Sequence, residues 1–210
     1  MKLYDYFRST ASYRVRIAMN LKGINYEKIG VHLVNNGGEQ HSPEYRKINP
    51  QGLVPCLEVE GEPINQSLAI IEYLNDIQPT PALLPQDPFG KATVRSLALM
   101  IVCDMHPLNN LRVLKQLKME FHANETQVTQ WYHHWLKKGF DALEAKLQTL
   151  DRTQPFCVGD SPSMADLCLI PQVFNAKRFN FALDDYPLIR EIDVHCLTLK
   201  AFQDATPQEA

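Results

Sequence analysis

Residues 8–19 read RSTASYRVRIAM, and how this stretch is read decides the fold of the N-terminal part of the chain. Three small hydroxyl residues, Ser9, Thr10 and Ser12, crowd the junction between an apolar-aromatic run, residues 2–7, and an amphipathic segment, residues 12–22. The first predicts a strand. The second predicts a helix, with Val15, Ala18 and Leu21 at three-residue spacing, and Gly23 stands where a left-handed residue usually closes one. Hydroxyls at such a junction have two uses. Their oxygens accept the free amides of a first helical turn, or one of them faces a ligand held over the helix N-terminus.

Residues 26–33 predict a second strand with β-branched content, so the opening segment reads as strand, helix, strand: a parallel pair with a right-handed crossover. A polar loop, residues 35–49, is broken by Gly37-Gly38. Residues 54–60 predict a third strand, and Glu60-Gly61-Glu62 a tight turn into a short fourth. A helix follows over residues 67–77, with Leu68, Ile71 and Leu74 on one face. Four of the chain's 14 prolines then fall within residues 78–90, which marks a boundary. Beyond it the periodicity is helical only. Asn124 and Gln127 have capping-box spacing. Val128, Trp131, Trp135, Leu136, Phe140, Leu143, Leu147 and Leu150 then continue at three-to-four spacing, and Ser163 with Asp166 repeats the box before an apolar run. The expected organisation is a small α/β domain over residues 1–80, a proline-rich linker over 81–90 and an all-helical domain over 91–210.

At 210 residues, 45% hydrophobic and 21% charged, the chain can bury an ordinary core, and a net charge of -3 gives no footprint for nucleic acid. The longest apolar run, residues 97–103, is far short of the ~20 residues that cross a membrane. The five cysteines are odd in number, far apart and without a C-x-x-C pair. They read as buried thiols of a reducing compartment, hence a cytoplasmic chain with no disulfide framework and no metal site. His133 and His134 are adjacent, so they face different sides of a helix and make no metal pair.

Two further places draw notice. Val54-Pro55 puts a proline at a strand start, either an ordinary trans edge proline or a cis turn that presents the Val54 backbone to an extended ligand. Gln66-Ser67 opens a helix, either as a simple Ser cap or as a seat for a carboxylate over the first-turn amides.

Together, the βαβ unit, the Val-Pro before a strand and the Gln-Ser-helix resemble the glutathione-binding domain of the soluble glutathione transferases. The likeness covers nearly the whole chain and is nearest to the zeta class, the maleylacetoacetate isomerase family. Its signature, Ser-Ser-Cys-x-Trp-Arg-Val-Arg-Ile-Ala, stands here as Ser9-Thr10-Ala11-Ser12-Tyr13-Arg14-Val15-Arg16-Ile17-Ala18. QSLAIIEYL (66–74), PALLPQDP (81–88) and VGDSPSMADLCL (158–169) match as well. The resemblance implies a thioredoxin-like α/β N-terminal domain and an all-α C-terminal domain that binds substrate. It implies glutathione as cofactor, and cis–trans isomerisation of maleylacetoacetate to fumarylacetoacetate in tyrosine and phenylalanine catabolism. Maleylpyruvate, or α-haloacids for a broader transferase, are the alternative substrates, and a homodimer is implied.

The resemblance puts Ser9 at the thiolate with Thr10 in support, leaving Ser12 as the simple cap, with Tyr6 the alternative donor. Glutathione contacts carry over to Ser9, Gln40, the Val54 backbone, Gln66, Ser67, Asn109 and Asn110. A dicarboxylate substrate calls for guanidinium groups, and Arg8, Arg178 and Arg112 are the candidates, while His106 reads as a helix-end histidine rather than a base. Ala11 departs from the signature cysteine, so Ser9 and backbone amides are left to hold the thiolate.

Overall fold

The computed structural model describes residues 1–150 and 152–208. The chain divides into two compact units, Met1–Leu83 together with the segment from Leu199 onward, and Leu84–Thr198. The last segment therefore belongs to the first unit, where the sequence pattern assigns residues 91–210 to one helical domain.

In the first unit, β1 (Lys2–Asp5), β2 (Glu27–Gly30), β3 (Cys56–Val59) and β4 (Glu62–Asn65) form one sheet in the order β2-β1-β3-β4. β1 pairs parallel with β2, Lys2 beside Glu27, across the predicted crossover helix α1 (Thr10–Lys22). β3 pairs antiparallel with β1 and β4, Cys56 lying between Tyr4 and Asn65. Gly23 closes α1 at φ 63, its amide returning to the Asn20 and Met19 carbonyls. α3 (Ser67–Ile77) has the predicted bounds and packs on α1. Leu3, Val15, Ile17, Leu57, Ile70 and Leu74 are fully buried in this unit. The loop expected over residues 35–49 contains a short helix, α2 (Pro43–Ile48). Its cap, Ser42 accepting the Tyr45 amide, and Pro43 in the first turn were the available signals; six residues are too few for periodicity to register.

The final segment lies along α1. Asn20 Nδ2 donates to the Ala201 carbonyl at 2.9 Å beside α9 (Lys200–Gln203), Arg16 Nε donates to the Ala205 carbonyl at 3.0 Å, and the Tyr13 and Thr206 hydroxyls meet at 3.0 Å.

The second unit holds α4 (Pro88–Leu99), a π-helical turn (Met100–Met105), α5 (Leu111–Glu120), α6 (Glu125–Gln148), α7 (Met164–Arg178) and α8 (Pro187–Cys196). Pro88, counted with the linker from sequence, is the first residue of α4, whose cap Asp87 accepts the Gly90 amide at 2.7 Å. The Asn124–Gln127 capping box is present. On α6 the buried face runs Val128, Tyr132, Leu136, Phe140, Leu143, Leu147. Trp131 and Trp135, predicted on that face, are only half-buried, and Tyr132 stands between them in the core. Gly139 lets the π turn approach: a Cβ there would sit 2.0 Å from Met105 Sδ. At the start of α7 the fully buried Asp166 carboxylate accepts from the Ser163 amide and hydroxyl (2.8 and 2.7 Å) and from the Cys157 amide (2.8 Å).

Candidate functional site

Ser9 is the N-cap of α1. Its Oγ accepts the Ser12 amide at 3.2 Å, and its own amide donates to the Tyr6 carbonyl at 2.8 Å, turning the chain from β1 into the helix. Ser12, expected to be the cap, lies instead inside the helix with its hydroxyl fully buried and unpartnered. The cap falls to Ser9 because the helix begins at Thr10, two residues earlier than the apolar periodicity indicates. Capping uses an oxygen lone pair and leaves the Ser9 proton for another acceptor, so one side chain can serve both of the uses weighed for these hydroxyls. Thr10 is buried in the first turn. Arg16 fixes the turn from below: it donates to Asp5 Oδ1 (2.7 Å) and to the Phe7 carbonyl (3.0 Å). Arg8, beside Ser9, is exposed, its guanidinium 5.0 Å from the Phe7 ring centre. Tyr6 packs edge-on against Phe7 and His32.

The second cluster in this unit surrounds residues 49–54. The Val54–Pro55 peptide is cis. Among the described residues neither the Val54 amide nor its carbonyl pairs with another backbone group. The neighbouring Leu53 carbonyl, by contrast, is held twice, by Tyr45 Oη at 2.6 Å and Asn49 Nδ2 at 2.7 Å, and Asn49 Oδ1 takes the Gln51 amide at 3.1 Å. Burial pushes the Tyr45 phenol up, so it stays a donor. Gln40 packs here too: a Cβ on Gly52 would lie 2.9 Å from the Gln40 carbonyl. The Gln40 side chain is buried, its Oε1 without a partner. Gln66 Nε2 donates to Gln51 Oε1 at 2.9 Å. Its backbone is left-handed at φ 72, a conformation that costs energy outside glycine and recurs at ligand clamps.

Gln66, not Ser67, occupies the α3 cap position, and it makes no side-chain cap bond. The first-turn amides of α3 therefore have no side-chain acceptor, which suits an anion. Ser67 is not the simple cap; its Oγ accepts from Arg14 Nη1 at 3.2 Å, both side chains buried. Arg14 lies about 7–8 Å along α1 from Ser9 at 1.5 Å per residue, so α1 spans both clusters. Sequence reasoning does not reach Arg14, Asn49 or Gln51. Helical periodicity sends a charged residue such as Arg14 to solvent, and only the packing of α1 on α3 reveals otherwise.

In the second unit, Asn110 caps α5, accepting the Arg112 amide at 3.1 Å. Buried Asn109 donates to the Tyr132 carbonyl at 3.2 Å and keeps an unpartnered Oδ1. The Tyr132 ring stacks on Phe179 at 3.7 Å, and the exposed Arg178 guanidinium lies 5.8 Å from the same Phe179 ring, steadied by Asn175 Oδ1 at 2.8 Å. Asn109 and Arg178 are thus joined through Tyr132 and Phe179. Arg112 is exposed and lines a different feature, a mostly apolar cavity of about 600 Å³ with Leu117, Phe121 and Trp131. His133 bonds the Phe179 carbonyl at 2.7 Å, while His134 is exposed. Among the described residues no group of three His, Cys, Asp or Glu is placed to hold a metal ion, and no helix is long and apolar enough to cross a membrane.

Residues 8–77 match the family model of the glutathione S-transferase N-terminal domain, and residues 109–191 that of its C-terminal domain. Maleylacetoacetate isomerase of Pseudomonas aeruginosa is 48% identical over 99% of this chain and 96% of its own length. The chain belongs to the glutathione S-transferase family. Within it, the zeta class is indicated by a solved bacterial maleylpyruvate isomerase of that class, 45% identical with a TM-score of 0.95 over 99% of this chain and 97% of that one. Maleylacetoacetate isomerase of Methylobacterium extorquens AM1, solved with bound malonate and glutathione, is 39% identical with a TM-score of 0.94, covering 99% and 96%. The transferase N-terminal model begins at Arg8 and ends at Ile77, so it takes in both clusters of the first unit.

Proposed function

We propose that this protein catalyses the glutathione-dependent cis–trans isomerisation of maleylacetoacetate to fumarylacetoacetate, a step of tyrosine and phenylalanine catabolism, as a cytoplasmic homodimer. The observation that carries the reading is Ser9, a helix cap whose hydroxyl proton remains available at the positive end of α1. The residues present fit glutathione. Val54 offers an unpaired amide and carbonyl to its peptide backbone, and the uncapped α3 terminus with Gln66 and Ser67 offers donors to its γ-glutamyl carboxylate. The unpartnered oxygen of Gln40 is a further polar position for it.

Glutathione, when bound, supplies a thiolate whose reversible addition to the conjugated double bond makes that bond single for rotation. Ser9 donates its hydroxyl proton in a hydrogen bond to the sulfur, and the α1 amides and dipole favour the same charge. Thr10 supports the turn that presents them. Ala11 brings no thiol to the site, so stabilisation rests on Ser9 and backbone. Arg8 and Arg178 bind the substrate carboxylates, with Arg112 a third, weaker candidate because it lines the apolar cavity.

A second substrate, maleylpyruvate, is favoured by the likeness to the bacterial maleylpyruvate isomerase. The test is to incubate purified protein with glutathione and each cis substrate and follow the trans product. Arg8→Ala and Arg178→Ala should each lower kcat/KM by at least about tenfold, the loss of a charged hydrogen bond. Glutathione affinity should stay within about a factor of two. Normal turnover by both variants would remove the dicarboxylate assignment. Failure of the wild type to convert either substrate would remove the isomerase reading.

A further inference from the structure

We infer that His32 is a positioning residue for glutathione that works only while its ring is neutral: it latches the loop that presents Gln40. This rests on the glutathione reading above. His32 Nδ1 accepts the Asn35 amide at 2.9 Å and the Val34 amide at 3.2 Å. A backbone amide can only donate, so Nδ1 carries a lone pair and the ring proton sits on Nε2. The His32 amide donates to Glu39 Oε2 at 2.6 Å, and its carbonyl accepts the Glu39 amide at 2.8 Å. One residue thus closes both ends of the loop, directly before Gln40. The Gln40 side chain folds back over Gly38, where a Cβ would meet its Nε2 at 2.5 Å. On either side of His32, Val31 and Leu33 pack into the cluster of Tyr45 and Val54, so the latch is anchored beside the backbone offered to glutathione.

A side chain that accepts the backbone amide two residues on is the ordinary work of Asn or Asp. Asn would hold this loop at any pH. An imidazole holds it only when unprotonated, and histidine is the side chain whose charge ordinarily changes between about pH 5 and 8. The loop amides and a proton compete for one lone pair, so the loop is ordered where the ring is neutral and released as pH falls. Facing the ring are Tyr6 and Phe7, whose rings lie 5.0 and 6.4 Å away, and the Glu39 carboxylate. Arg8 lies across Phe7, and His41 Nε2 is 3.1 Å from Gln40 Nε2. Glu39 and His41 are therefore the rival sources of any pH dependence at Gln40.

The probe is S-methylglutathione, which has no thiol to ionise, titrated by calorimetry at about pH 7.5 and about pH 5.5, on either side of the imidazole range. Wild type should bind roughly threefold to tenfold more weakly at the lower pH, the worth of the one hydrogen bond that Gln40 supplies. His32→Asn should match wild type at the higher pH and lose less than about twofold at the lower, because the Asn oxygen accepts amides without titrating. His32→Phe, with a ring but no acceptor, should bind weakly at both. In Gln40→Ala the pH dependence should vanish. Amide exchange of the ligand-free protein gives a readout that needs no glutathione: the protection of Val34 and Asn35 should fall at the lower pH in wild type and persist in His32→Asn. A His32→Asn variant that keeps the wild-type pH dependence hands the effect to Glu39 or His41 and overturns the inference. So does a wild type that binds alike at both pH values, or a His32→Phe variant that binds like wild type. If wild type binds no S-methylglutathione while exchange behaves as stated, the latch on the loop stands and the glutathione reading alone fails.

Discussion

Ser9→Ala separates two contributions that one oxygen makes. The first is the cap: Ser9 Oγ holds the Ser12 amide at 3.2 Å, and losing such a cap costs about 1 kcal/mol, or roughly 2–4 °C in Tm for a chain of this size. The second is the hydrogen bond proposed above to the glutathione sulfur. A bond to a charged acceptor contributes about 1.5–3 kcal/mol, and one pKa unit is 1.36 kcal/mol. Because the donor favours the ionised thiol, its removal raises the bound thiol's pKa by roughly 1–2 units towards or beyond the free value of about 8.5. The assay is ultraviolet absorbance of the thiolate in the glutathione complex, titrated against pH, beside a thermal melt of each variant. Ser9→Asp is the informative partner, since Asp caps as well as Ser but presents a negative charge and no proton. It should melt like wild type and yet titrate higher than Ser9→Ala. If Ser9→Ala loses stability while the thiol titrates unchanged, the hydroxyl is a cap and nothing more, and the catalytic role of Ser9 is wrong.

Asp5→Ala should destabilise the protein by about 3–5 kcal/mol in urea unfolding, because it strands the buried Arg16 guanidinium. Lys28→Ala, which removes the half-exposed partner of the same carboxylate, should cost under about 1 kcal/mol; equal costs would contradict this account. Of the five cysteines only Cys103 is exposed, and burial pushes the Cys56 thiol up to about 11. A thiol reagent at neutral pH should therefore give one fast equivalent, abolished by Cys103→Ser.

What can be read from sequence is what local chemistry writes locally. The bounds of α3, the βαβ order and the Asn124–Gln127 box come from periodicity, glycine and cap residues that act within a few positions. The departures share a different cause. Apolar spacing starts at Ser12 and so points to it as the cap, whereas the hydrogen bond that opens α1 is set by the tight Tyr6–Ser9 turn. Trp131 and Trp135 fit the apolar stripe as well as Tyr132 does, and stacking on Phe179, 47 residues away, decides which is buried. Arg14 belongs to the same class, since burial of a charge in α1 is decided by Ser67, 53 positions on. The resemblance points to Ser9, Val54, Gln66 and Ser67, and its signature includes Arg14, but it assigns no role to Arg14 or to Asn49, which bond Ser67 and Leu53, the neighbour of Val54.

The return of the last segment to α1 has a consequence for how the protein is made. Synthesis runs from residue 1, yet the Arg16–Ala205 and Tyr13–Thr206 contacts join positions 189 and 193 residues apart. The first unit cannot finish until the entire second unit has been translated. Until then Arg16, which also braces the turn before Ser9, lacks one of its carbonyl partners. A nascent chain arrested after Thr198 would carry a whole helical unit and an unfinished N-terminal one, so premature stops near the far end wound the half that was made first.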